Sequence, residues 1–157
     1  MAVKIEIHYA DGMDYKLEKI QKGDWIDLCA SENIELEYMD FKYIPLGIYM
    51  KLPVGYEALL VPRSSLYKKF GIIQPNSPGV IDESYCGPDD MWRLPALCLD
   101  PKEKYIANGI EHAFTMINKG DRLCQFRIIT HMPEIEFVEV KAMKATESRG
   151  GFGSTGI

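Results

Sequence analysis

PRSSLYKKFGIIQPNSPGVIDESYCG, the segment from residue 62 to residue 87, carries the signals that decide how this chain folds. We predict a short strand at each of its two apolar runs, GIIQP and GVID. Between them, residues 76 to 79 combine Pro with Gly, which favours a tight turn. The one helix that the pattern predicts is short and runs from Ser65 to Phe70, with a serine as its cap.

Polar residues in the same segment predict an anion site. Arg63 offers a planar fork of donors that matches phosphate oxygens, and Ser64 and Ser65 add hydroxyl donors beside it. The lone carboxylate of Asp82 lies three residues before the aromatic ring of Tyr85. This pair suggests that Asp82 is a base and that the Tyr85 ring forms a flat wall of the site. A capped surface helix followed by a β-hairpin explains these residues equally well, so both interpretations stay open here.

The segment from residue 149 to residue 157, RGGFGSTGI, is too rich in glycine to build a core. Glycine lets backbone amides approach an anion closely, so this run can wrap a polyphosphate. Phe152 is then free to stack on a base, and Arg149 supplies a cation. A floppy terminal tail is the alternative, although the single Phe and Arg weaken it.

Short apolar runs separated by turn residues fill the rest of the chain. Residues 3 to 8 alternate as a half-buried strand does, and turn signals at both ends of residues 9 to 24 predict a hairpin arm. We predict two or three strands between residues 34 and 62, and further strands at LPALCL, EHAFTMI, LCQFRIIT and EIEFVEV, with a polar loop near residues 101 to 104. Many short strands with scarcely any helix predict an all-β, closed or sandwiched antiparallel fold.

Two further positions carry structural predictions. Asp27 lies among Trp25, Ile26 and Leu28, and because an aspartate in apolar surroundings needs a donor, we expect one beside it. The Asp121-Arg122 pair follows a glycine, which predicts a turn with an ion pair rather than a catalytic group.

Composition limits the classes of function. A chain of 157 residues is one domain long and can build a core without disulfides or metal. Its formal charge of -5 argues against nucleic acid as a partner, because a nucleic-acid surface needs clustered Lys and Arg in excess.

The cysteines and the hydropathy point to a location. Four widely spaced cysteines without a CxxC pair signal neither a zinc site nor a redox motif, so reduced thiols are expected. No leader pattern opens the sequence, and no segment reaches the roughly 18 to 20 apolar residues of a membrane helix. We therefore expect a cytoplasmic protein without membrane contact.

Five segments in order along the chain resemble the five motifs of the trimeric deoxyuridine triphosphatase (dUTPase) family. They are GDWIDLCAS (23 to 31), PRSSLYKKFGI (62 to 72), NSPGVIDESYCG (76 to 87), KGDRLCQF (119 to 126) and SRGGFGSTG (148 to 156). The resemblance implies a distorted jelly roll, similar to a β-barrel, with one short helix, assembled as a homotrimer whose C-terminal arms are exchanged. It divides the chain into a β-rich domain, residues 1 to 140, and a flexible arm, residues 141 to 157.

The resemblance also implies an activity, the Mg²⁺-dependent hydrolysis of dUTP to dUMP and pyrophosphate. Asp82 would orient and deprotonate the water that attacks the α-phosphorus, and Asp27 would help to hold the site together. Magnesium would be held through the substrate phosphates and water, with no direct protein ligand.

The resemblance assigns the remaining site residues to two parts of the substrate. Asn76 and the turn with Gly79 would pair with the uracil edge, Tyr85 would exclude a ribose 2′-hydroxyl, and Phe152 would close over the base. The residues that would contact the phosphates are Arg63, Ser64, Ser65, Gln125, Arg149, Gly153, Ser154 and Thr155.

Two other functions remain open from the sequence. A dCTP deaminase, or its bifunctional relative, shares the fold and the RSSL-like motif but relies on a glutamate in the strand after the hairpin. Residues 88 to 100 contain aspartates but no glutamate, which favours the triphosphatase. A regulatory protein that docks a protein partner, as some phage-encoded relatives do, is the second alternative, and the sequence does not say whether a cell or a virus encodes the chain.

Overall fold

A computed structural model describes residues 2–19 and 21–143 of the chain. This part contains twelve strands and one short helix. In chain order they are β1 Glu6–Tyr9, β2 Ile26–Cys29, β3 Ile34–Glu37, β4 Phe41–Pro45, β5 Ile48–Lys51, β6 Tyr56–Pro62, α1 Leu66–Phe70, β7 Ile72–Ile73, β8 Gly79–Ile81, β9 Arg93–Cys98, β10 Glu103–Ala107, β11 Ile110–Ile117 and β12 Arg122–Thr130. The all-β prediction with a single short helix is confirmed.

The strands form four small antiparallel sheets around one core. Their orders are β1-β5, β10-β11-β3, β2-β12-β6-β8 and β4-β9-β7. Alternate residues of β9, Leu94, Ala96 and Cys98, point inward and are fully buried, as period-two alternation requires. At the centre the rings of Trp92 and Phe126 pack edge to face, with centroids 5.2 Å apart.

The four-stranded sheet brings separate parts of the sequence together. β12 lies between β2 and β6, so that Gln125 is opposite Asp27 on one side and opposite Val61 on the other. β6 also pairs with β8, with Leu60 opposite Gly79. Segments more than thirty residues apart in sequence are therefore neighbours at the end of this sheet.

Two predicted strand pairings are wrong. β1 pairs with β5 rather than with the segment after it, so residues 9 to 24 form no hairpin arm. β7 pairs with β9 and β8 pairs with β6, so residues 76 to 85 form a turn but not a hairpin. Turn signals mark where the chain reverses, whereas the partner of a strand depends on distant residues.

One further local prediction is wrong, and another is displaced at one end. EIEFVEV has no regular secondary structure, and Phe137 and Val138 are 91% and 74% exposed. Its alternation is that of a strand, but no neighbouring strand of the described residues satisfies its backbone groups. The polar loop predicted near residues 101 to 104 is present at residues 99 to 102, but it ends two residues early, where β10 begins at Glu103.

The helix α1 is held mainly at its C-terminal end. Ser65 occupies the N-cap position as predicted, but its side chain makes no capping hydrogen bond. Gly71 ends the helix with φ +66°, and its N–H donates to the carbonyl oxygen of Tyr67 at 2.7 Å. A Cβ atom on Gly71 would lie 1.7 Å from the carbonyl oxygen of Asp100, so this position excludes every other residue.

We therefore expect Gly71→Ala to lower the free energy of unfolding by about 3 kcal/mol, because strain at positive φ adds to a backbone clash. Gly109→Ala is the matched control: Gly109 has φ +78°, but a Cβ there meets nothing within 4 Å. Its cost should be about 1 kcal/mol. Urea unfolding measures both variants, and equal losses would show that the contact with Asp100 does not matter.

Candidate functional site

The loop after β8 presents Asp82 in a turn that occupies one of its carboxylate oxygens. Oδ1 of Asp82 accepts hydrogen bonds from the Ser84 N–H at 2.7 Å and from the Ser84 hydroxyl at 2.5 Å. The Tyr85 N–H donates to the carbonyl oxygen of Asp82 at 3.2 Å, which closes the turn. The Ser84 hydroxyl, followed by the Ser84 backbone N–H, holds the pKa of Asp82 below its ordinary value. Asp82 is therefore an exposed carboxylate that stays ionised at neutral pH.

Asp82 lines a cavity of about 450 Å³ that also contains three other predicted site residues, Asn76, Gly79 and Tyr85. The Tyr85 hydroxyl donates to the carbonyl oxygen of Met91 at 3.2 Å, which fixes the direction of the ring. Gly79 is buried, and a Cβ there would approach the Gln74 side chain to 3.2 Å. The cavity combines the Asp82 carboxylate with an amide, a phenol ring and close backbone. This arrangement suits a neutral ring compound with polar edges.

A second cleft, of about 330 Å³, contains the predicted residues Asp27, Arg63, Ser64 and Gln125. Nη1 of Arg63 lies 3.0 Å from Oδ2 of Asp27, and the guanidinium of Arg122 lies 3.6 Å from the same oxygen. The predicted donor for Asp27 is thereby confirmed. These side chains are about one-third exposed or more, so the pairs add at most about 1 kcal/mol to stability. Their main effect is to orient the Arg63 guanidinium in the cleft.

Ser65 and the turn after β11 complete this region. Ser65 is the N-cap residue of α1, but it does not line the cleft that contains Arg63 and Ser64. Oδ2 of Asp121 accepts the Asn118 N–H at 2.9 Å, and its Oδ1 lies 3.5 Å from Nζ of Lys69. The prediction that Asp121 and Arg122 form a turn with ion pairs is confirmed.

The two cavities share no lining residue. One has a carboxylate, an amide and a phenol ring, and the other has a guanidinium, a hydroxyl and an amide suited to phosphate oxygens. Arg149, Phe152, Gly153, Ser154 and Thr155 lie outside the described residues, so their predicted roles stay predictions.

Sequence reasoning missed several residues that line these cavities. Lys22 and Trp25 belong to the second cleft, and Tyr43, Asp89 and Arg93 belong to the first. Lys22 stands directly before the first motif and carries the charge expected near phosphate, which is a usable signal. Tyr43 and Arg93 lie on the paired strands β4 and β9, and only the tertiary structure places them at the cavity.

The described residues contain neither a metal-binding cluster nor a disulfide. Residues 2–19 and 21–143 contain no group of three His, Cys, Asp or Glu side chains that could hold a metal ion. All four cysteines are free thiols, and burial raises the pKa of Cys124. Among the described residues, no helix is both long and apolar enough to cross a membrane.

Comparisons with known proteins agree on one family. Residues 24–90 match the family model described as dUTPase. The chain is 47% identical to the SPbeta prophage-derived deoxyuridine 5′-triphosphate nucleotidohydrolase of Bacillus subtilis, over 98% of this chain and 99% of the relative. It is 40% identical to the deoxyuridine 5′-triphosphate nucleotidohydrolase of Neorickettsia sennetsu, over 74% of this chain and 68% of that one.

Solved structures give the same fold. The dUTPase of Staphylococcus bacteriophage 80alpha, in complex with dUpNHpp, aligns with a TM-score of 0.75 over 99% of this chain and 100% of that chain, at 21% identity. The dUTPase of phage phi11 of S. aureus aligns with a TM-score of 0.71 over 91% and 99% of the two chains, at 18% identity. At these identities the likeness concerns the fold alone.

Proposed function

The chain belongs to the dUTPase family, and we propose from this premise that it hydrolyses dUTP to dUMP and pyrophosphate. The observation that carries the proposal is the position of Asp82, an ionised carboxylate held in a turn beside Asn76, Gly79 and Tyr85 in one cavity. The reaction keeps uracil out of DNA and supplies dUMP for the synthesis of dTMP. It would take place in the cytoplasm, where the nucleotide pool lies.

In this mechanism Asp82 accepts a proton from the attacking water. The water oxygen bonds to the α-phosphorus, the bond from that phosphorus to the bridging oxygen breaks, and pyrophosphate leaves with the electron pair. A carboxylate is a weak base, so most of the acceleration comes from alignment of the water and from cations that face the phosphates. Arg63 and Arg149 are the cations that we assign to this task.

Selection of the nucleoside falls to the first cavity. Asn76 and the backbone near Gly79 would pair with the polar edge of uracil, and a narrow cavity leaves no space for the 5-methyl group of thymine. The ring of Tyr85, fixed by its hydrogen bond to Met91, would pack under the sugar and exclude a ribose 2′-hydroxyl. Phe152 would close over the base.

The phosphates would occupy the second cleft. Arg63, oriented by Asp27, offers a forked donor, and Ser64 and Gln125 lie beside it. We assign Ser65, Gly153, Ser154 and Thr155 to the same phosphates. Mg²⁺ would arrive with the substrate, held through phosphate oxygens and water, and would neutralise part of the phosphate charge.

Assembly as a homotrimer would join the two cavities. Because they share no lining residue within one chain, we propose that the nucleoside cavity of one subunit meets the phosphate cleft of another. Residues 1 to 140 would form the domain and residues 141 to 157 the exchanged arm. The exposed apolar side chains of Phe137 and Val138 support this assembly, because a neighbouring subunit would cover them.

A protein partner is a second possibility that the relatives raise. One solved 80alpha phage structure is described as showing that phage dUTPases control the transfer of virulence genes. If this chain is also phage-encoded, such a partner would bind in addition to dUTP, since the candidate site carries the residues for hydrolysis.

Pyrophosphate release from dUTP, dCTP, dTTP and UTP tests the proposed function. We expect dUTP alone to be hydrolysed at a substantial rate, with UTP slower by about 100-fold, the discrimination that a close-fitting pocket reaches against an added hydroxyl group. EDTA should stop the reaction, and added Mg²⁺ should restore it. Ammonia released from dCTP would instead indicate a deaminase, and no release from any nucleotide would favour a docking protein.

A further inference from the structure

Ser84, two residues after Asp82, contacts the carboxylate of Asp82 directly. Both donors of Ser84, the N–H and the hydroxyl, contact Oδ1 of Asp82 at 2.7 and 2.5 Å. The two hydrogen bonds that residues 2–19 and 21–143 donate to this carboxylate within 3.5 Å both go to Oδ1, and the Tyr85 N–H adds a weaker effect that also lowers the pKa of Asp82. One oxygen is therefore occupied by the turn, and the other is free to meet a water.

Glu83 fastens this turn to two other parts of the fold. Its Oε2 accepts the N–H of Gly55 at 2.7 Å, in the loop between β5 and β6. The same oxygen lies 3.9 Å from Nε2 of His131, which follows β12. The His131 N–H in turn donates to the carbonyl oxygen of Gly55 at 2.9 Å. The three segments thus form one connected cluster behind the carboxylate of Asp82.

We infer that Ser84 and Glu83 are positioning residues, which together fix the carboxylate of Asp82 so that only Oδ2 accepts the proton of the attacking water. This inference rests on the proposed function of Asp82 as the base. An exposed carboxylate on a loop otherwise rotates among several rotamers, and only some of these aim an oxygen at the water. Holding a reacting group in one geometry removes a large part of the activation barrier, because small displacements of that group lower the rate strongly.

The charges around Asp82 come from three directions. Glu83 is its neighbour in the turn, His131 approaches from the end of β12, and Asp89 and Arg93 line the same cavity. The hydrogen bonds of Ser84 lower the pKa of Asp82, and the charge of His131 acts in the same direction more weakly. Removing the Ser84 hydroxyl removes the largest of these effects, so the pKa of Asp82 should rise.

The test combines Ser84→Ala with Ser84→Thr, which keeps the hydroxyl. We expect Ser84→Ala to lower kcat about tenfold with little change in KM, and to move the acid limb of the kcat/KM profile to higher pH. Ser84→Thr should restore both. Carbon-13 NMR of labelled aspartate then measures the pKa of the Asp82 carboxyl without turnover, and we expect it to rise in Ser84→Ala but not in Ser84→Thr.

Glu83 is tested by the pair Glu83→Gln and Glu83→Ala. Glutamine still offers an oxygen to the Gly55 N–H, so its kcat should stay within about threefold of the native value, whereas alanine should lose about tenfold.

The outcomes separate this inference from the proposed function. An unchanged carboxyl pKa and an unchanged pH profile in Ser84→Ala would overturn the positioning role, even if kcat fell. A native chain that hydrolyses no dUTP would overturn the role of Asp82 as the base, while the NMR titration would still decide whether Ser84 holds its carboxylate.

Discussion

Asp82→Asn is expected to lower kcat for pyrophosphate release from dUTP by about 10²- to 10⁴-fold, the range typical of a lost general base. The amide cannot accept a proton from water at neutral pH. Its carbonyl oxygen can still accept the two hydrogen bonds of Ser84, so the turn should keep its shape. Steady-state kinetics together with the Kd of a non-hydrolysable analogue measure this effect, and we expect the Kd to change by less than about threefold.

A matched control makes the same chemical change elsewhere. Asp14→Asn replaces an exposed carboxylate, paired with Lys119, that lines neither cavity. Its kcat should equal that of the native chain. A kcat for Asp82→Asn within about threefold of this control would move the base to another residue.

Deletion of residues 148 to 157 is expected to reduce turnover by more than about 10³-fold while the trimer remains intact. The deletion removes Arg149, the ring of Phe152 and the Gly-rich run, and with them a cation on the phosphates and the closure that excludes water. Residues 2–143 include the whole described core, so the domain should fold without the deleted segment. Turnover measures the first effect, and sedimentation equilibrium measures the mass of the assembly.

Deletion of Ile157 alone is the control for this truncation, because it shortens the chain and leaves the Gly-rich motif complete. We expect it to keep native turnover. Undiminished hydrolysis by the longer truncation would contradict the closing role of the C-terminal arm, and loss of the trimer would show that the arm holds the assembly together.

Local signals predicted the elements of this fold well. Short apolar runs bounded by turn residues predicted β9, β11 and β12, and the pattern from Ser65 to Phe70 predicted the helix. Each of these predictions depends on neighbours a few residues away, which the sequence displays directly.

The pairing of strands was less predictable, because it depends on distant partners. β1 pairs with β5, about forty residues away, although a nearer turn signal favoured a local hairpin. The segment from residue 135 to residue 140 alternates as clearly as β9 does, yet it has no strand beside it in the described residues. A pattern predicts that a segment suits a strand, but not that a partner is present.

The site likewise contains some contacts that local sequence predicts and others that depend on distant residues. The ion pair of Asp27 followed from its apolar neighbours, which made an unpartnered charge costly. The contact of Glu83 with Gly55 joins residues 28 apart, and nothing in the local sequence distinguishes Glu83 from an ordinary exposed glutamate. Motifs therefore indicated candidate residues for the reaction, while the structure shows the contacts that Asp82 and Glu83 make.

The most direct test of the proposed reaction is hydrolysis of dUTP by the full chain in water enriched in oxygen-18, with Mg²⁺ present and the products analysed by mass spectrometry. The attacking oxygen stays on the phosphorus that it attacks. We therefore predict one labelled oxygen in dUMP, unlabelled pyrophosphate and no ammonia. Label in the pyrophosphate would place the attack on the β-phosphorus, and absence of dUMP would contradict the assignment of this chain as a dUTP hydrolase.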